Sequence, residues 1–89
     1  MSNRTLIARI ENGLSDIRDG KISARAFADI VRNNGCALEG LPYALIKEIR
    51  SLALDLDIAQ WYDEDGFFPE LEPLLVKAQH WLSELPKDA

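Results

Sequence analysis

The chain has 89 residues, one cysteine, ten Lys or Arg against fifteen Asp or Glu, and a formal net charge of −5. A chain this short makes one domain, residues 1–89, that buries roughly 60–65% of the surface its unfolded form exposes, and an apolar content of 47% argues against disorder. A lone Cys36 excludes an intrachain disulfide and every multi-cysteine metal framework, while the acidic excess argues against direct nucleic-acid binding, which needs clustered cations to meet phosphates.

In chain order, Leu6, Ile7, Ile10, Leu14 and Ile17 recur at three- and four-residue steps, the spacing of one helix face. Gly13 falls on that face, where a missing side chain permits close approach of a neighbour at a propensity cost of roughly 1 kcal/mol. Gly20 is expected to end this helix as a left-handed cap. Ser23 reads as the N-cap of a second helix, with Ile22 and Phe27 as a hydrophobic staple. Phe27, Ile30 and Val31 then point one way, and Asn33-Asn34-Gly35 is expected to stop the helix.

Pro42 suits the first position of a third helix, expected over 42–56 and at most to Gln60. Its stripe is Leu45, Ile46, Ile49, Leu52, Ala53 and Leu56. Tyr43 and Leu54 lie nearly opposite, which reads first as a central helix buried on two sides and otherwise as a partner-facing surface. After an acidic loop, Pro69 is expected to open a fourth helix with the stripe Leu71, Leu74, Leu75, Ala78, Leu82 and Leu85, closed by Pro86. No run of alternating β-branched residues suggests a strand. The expected fold is all-α, an antiparallel four-helix bundle.

Residues 1–12 lack the apolar core of a signal peptide, and no apolar run approaches membrane-spanning length. A cytoplasmic location without membrane attachment is the expectation.

Charge is divided unevenly. Through Arg50 there are eight basic and six acidic residues; from Ser51 onward there are two and nine. Between Arg50 and Lys77 no cation occurs, yet the stretch holds Asp55, Asp57, Asp63, Glu64, Asp65, Glu70 and Glu72, with Trp61, Tyr62, Phe67 and Phe68 among them. Carboxylates at the start of a helix favour its dipole by roughly 0.3–1 kcal/mol each, which accounts for Glu70 and Glu72. The benefit fades within a turn and leaves Asp55, Asp57 and Asp63 to Asp65 unexplained. A one-sign field without compensating cations suits a basic partner. Trp61 and Tyr62 are the aromatic anchor candidates, and Phe67 or Phe68 is expected to plug the bundle end.

Other candidates are weaker. From Trp61 as position one, Asp63, Asp65, Gly66, Phe68 and Glu72 imitate a calcium loop, but tryptophan offers no oxygen ligand at the first position and Pro69 stands at the ninth. His80 projects away from the fourth helix's stripe and is expected in solvent. Cys36 has no histidine near it in sequence to activate it as a nucleophile. Trp81 sits at the edge of the core stripe. No catalytic signature is present, so no catalytic residue, cofactor or metal is assigned and no enzyme is expected.

Three elements together resemble the colicin D immunity family and related helical immunity proteins of contact-dependent growth inhibition systems. They are the Lys21–Phe27 entry to the second helix, the leucine-rich third helix, and the acidic stretch from Asp57 to Glu72 leading into the last helix. The resemblance implies a four-helix protein that binds a basic, tRNA-cleaving toxin nuclease domain in the cytoplasm and occludes its active site with acidic side chains. Read from the acidic-aromatic stretch itself, the candidate contact set is Asp55, Asp57, Trp61, Tyr62, Asp63, Glu64, Asp65, Glu70 and Glu72. The alternatives are a calcium-responsive module, or a helical adaptor docking through Tyr43, Leu54 and Trp81.

Overall fold

A computed structural model describes residues 2–64 and 71–85, with residues 60–64 described by their backbone alone. The regular structure described is entirely helical: α1 (Asn3–Arg18), α2 (Ala24–Gly35), α3 (Tyr43–Glu64) and α4 (Glu72–Glu84). The helices close a four-helix bundle in which α1 packs on α2 and α4, and α3 packs on α2 and α4. One apolar core joins all four. Among the described residues, no helix is long and apolar enough to cross a membrane.

Local chemistry sets the helix ends. Ser2, extended at ψ 154°, accepts from the Thr5 amide and caps α1. At the other end, the Lys21 amide donates to the Asp16 carbonyl at 2.8 Å and the Gly20 amide to the Ile17 carbonyl at 3.1 Å. That is the Schellman pattern, and it needs the left-handed φ of +74° that Gly20 supplies. Ser23 caps α2 through the Ala26 amide at 3.1 Å, with Ile22 half-buried against the core to which Phe27 belongs. Asn3 and Glu39 exchange side chain–backbone bonds of 2.9 and 3.0 Å, which fastens the 36–42 connection to the start of α1.

Three boundary expectations are corrected, at both ends of α3 and at the start of α4. α2 stops at Asn33-Asn34-Gly35 as expected, but without a left-handed turn at Gly35. Gly35 is the last helical residue, φ is positive only at Gly20 and Gly40 among the described residues, and a Cβ at Gly35 would stand 3.0 Å from Ile49 Cγ1. Its role is close packing. Pro42 stands just outside α3, its carbonyl accepting from Leu45 and Ile46. α3 does not end at Leu56 or Gln60 but runs to Glu64. α4 opens not at Pro69, which lies outside the described residues, but at Glu72, with Pro73 in its first turn, where a missing N–H goes unnoticed. Leu85, extended at ψ 138° and preceding Pro86 in sequence, follows the last helical residue.

Gly13 lets α2 approach α1: a Cβ there would meet Ile30 and Phe27 at 3.2 Å. Trp81 is fully buried rather than at an edge, and its indole N–H donates to the Leu45 carbonyl at 2.9 Å. The inner side of α3 buries Leu45, Ile49, Leu52, Ala53, Leu56 and Ala59. The expectation of a helix buried on two sides does not hold, because Tyr43 is 75% and Leu54 59% exposed.

Since Gly35 has no special φ, replacing it tests packing alone. Gly35→Ala is expected to lose about 1–2 kcal/mol in urea unfolding, overpacking outweighing the propensity gain. In an Ile49→Ala background the loss should vanish, a coupling that a double-mutant cycle reads directly.

Candidate functional site

The acidic stretch begins on α3. Residues on a helix turn by about 100° each, so Asp55 and Asp57 are about 200° apart and cannot share a face. Asp57 turns toward α2, where the Arg32 guanidinium donates through Nη2 to its Oδ2 and through Nη1 to Asp29 Oδ1 at 2.9 Å. Asp55 turns the other way. It lines a groove of about 420 Å³ between α3 and α4 that also holds Lys47, Glu48, Leu52, Lys77 and Trp81. Glu72, in the first turn of α4, accepts from Arg18 Nη1 at 2.8 Å.

The expectation of a cluster without compensating cations is therefore corrected. Two of its anions, Asp57 and Glu72, are paired with arginines from the last turns of α2 and α1. All four partners are part-exposed, so each pair contributes at most about 1 kcal/mol. Its larger effect is on the field, which loses two of its sharpest sources.

The remaining candidates divide by position. Trp61, Tyr62, Asp63 and Glu64 are carried on the last turn of the α3 helix. Asp65 and Glu70 lie outside the described residues, as do Phe67 and Phe68 with the expected core plug. Continuation of α3 through Glu64 also makes the first four positions of the calcium-like loop helical, unlike the loop a calcium site needs at its third position. Among the described residues, no group of three or more His, Cys, Asp or Glu is placed to hold a metal ion.

Beyond the acids, His80 is exposed and lies 2.8 Å from Glu84 one turn on. Cys36 is exposed at the C-cap of α2. Burial of Trp81 removes it from the docking face suggested with Tyr43 and Leu54. Sequence reasoning missed a better companion, Ile58, 45% exposed on the same outer side of α3. The signal was available: Ile58 is four residues beyond Leu54.

Comparisons with protein-family models, with curated proteins and with solved structures find no match to this chain.

Arg32 holds one acid of its own helix and one of α3. Arg32→Gln is expected to lower stability by about 0.5–1 kcal/mol at low ionic strength. The difference from wild type should shrink in 0.5 M salt, as urea titrations at both salt concentrations would show, since screening weakens part-exposed pairs.

Proposed function

We propose that this chain is a protein-binding module of the immunity kind, a non-catalytic inhibitor that occludes the active site of a basic toxin nuclease in the cytoplasm. A tRNA-cleaving domain is the toxin class that the resemblance implies. The observation that carries the reading is the unbroken run of α3 to Glu64. It mounts Trp61, Tyr62, Asp63 and Glu64 on a helix whose inner side is locked in the core. Ordering of that backbone is completed during folding, so less freedom is lost on binding.

The intrachain pairs narrow the contact set. Asp57 and Glu72 have their charge partly cancelled, so the electrostatic role falls on Asp63, Glu64, Asp65 and Glu70. Asp55, in its groove, stands at the margin. Trp61 and Tyr62 serve as anchors, being residue types that dominate binding energy when desolvated. Anions on such a helix match cations that would otherwise hold nucleic-acid phosphates, and they accelerate encounter with a basic domain.

The reading requires a basic nuclease domain encoded beside this chain's own gene, and the test uses that domain. Asp63→Asn, Glu64→Gln and Asp65→Asn together should slow association at least tenfold and flatten its salt dependence, measured by stopped-flow fluorescence. Unchanged rate and slope would remove the reading. Conversely, Arg18→Gln with Arg32→Gln frees Glu72, Asp57 and Asp29 and should speed association at low salt.

A further inference from the structure

We infer that Asn34-Gly35 is a modification site, where the asparagine converts spontaneously to an acid when the last turn of α2 frays. The chain contains two Asn-Gly dipeptides, Asn12-Gly13 and Asn34-Gly35. Both are helical, and both glycines are buried at helix contacts, Gly13 against Ile30 and Phe27, Gly35 against Ile49. The two differ in where they sit. Asn12 has at least a full turn of α1 on either side, whereas Asn34 is the penultimate residue of α2.

The chemistry is a ring closure. The Gly35 backbone nitrogen attacks Asn34 Cγ and gives its proton to a solvent base, while the Cγ–Nδ2 bond breaks and ammonia leaves. Water then opens the cyclic imide at either carbonyl. Cleavage at Cγ leaves aspartate; cleavage at the backbone carbonyl leaves isoaspartate, with the main chain rerouted through the side chain. Glycine favours the first step because no side chain shields its nitrogen. A helical ψ of about −42° holds that nitrogen away from Cγ, so closure waits for the turn to open. In the closed turn Asn34 Nδ2 also donates to the Ile30 carbonyl at 2.8 Å.

Opening is easiest at a helix end and hardest inside an element locked in the core. Asn34 is therefore reached by local fraying, while Asn12 requires α1 to come apart. Exposure alone ranks them the other way, since Asn12 is exposed and Asn34 half-buried. The products resist reclosure. Aspartate at position 34 lacks the donor for Ile30 and adds charge at the negative end of the helix dipole. Isoaspartate lengthens the backbone ahead of Gly35 and shifts it off Ile49. Conversion thus weakens the α2–α3 contact irreversibly, a property separate from the inhibitor reading.

The experiment incubates the whole chain at mildly alkaline pH, folded and in urea, and follows each site by peptide mass spectrometry. Chromatography resolves the isoaspartyl peptides. In urea both dipeptides should convert. In the folded chain Asn34 should convert at least tenfold more slowly than in urea, and Asn12 at least tenfold more slowly again. Asn34→Gln should remove the product at position 34 and leave Asn12 unchanged. Asn34→Asp, checked for helix content by circular dichroism, should unfold at lower urea than wild type. Asn12 leading or matching Asn34 in the folded chain, Asn34 silent there or as fast as in urea, or an Asn34→Asp chain as stable as wild type would overturn the proposal.

Discussion

Burial of one side of α3 is the constraint on which the rest of the molecule depends. Leu45, Ile49, Leu52, Ala53, Leu56 and Ala59 all face inward, and two contacts fix what lies against them. Gly35 lets α2 sit directly on Ile49. Trp81 fills the space under α4 while its N–H finds the Leu45 carbonyl. Apart from that indole, the described core is apolar, so helix register rests on shape and on one directional bond.

Once the inner side is fixed, the destination of every other α3 residue follows from its angle. Asp57 goes to α2, Asp55 to the α4 groove, and Tyr43, Leu54 and Ile58 to solvent. The arginines that meet the acids are also where helix dipoles favour them. Arg18 and Arg32 occupy the last turns of α1 and α2, and Glu72 the first turn of α4. The Arg18–Glu72 pair thus joins ends whose partial charges already suit its members, whereas Asp57 meets Arg32 from inside α3, and a segment with no cations of its own is partly neutralised by distant ones.

What the sequence disclosed followed the range of the interaction involved. The α1 face, the Gly20 cap and the Ser23 cap depend on neighbours within four or five residues, and all are where the spacing placed them. Gly35 after two asparagines read correctly as the end of α2, but its close packing was not legible locally. Only the position of Ile49, fourteen residues away, reveals its use. The length of α3 was underestimated because acids and aromatics resemble a loop, although no glycine or proline interrupts the chain between Pro42 and Gly66. The opposed directions of Asp55 and Asp57 were available from helical periodicity alone. The Arg18–Glu72 pair was not, since 54 residues separate its members and only the closed bundle brings them together.

Rigid presentation of the last α3 turn is the premise on which the proposed binding role stands. Backbone chemical shifts and amide hydrogen exchange of Ser51–Glu64 in solution address it most directly. Continuous helical Cα shifts through Asp63, with protection declining only in the final turn, are the expected result. Coil shifts beginning near Asp57, with unprotected amides beyond it, would contradict the account by leaving the acids and aromatics without a scaffold.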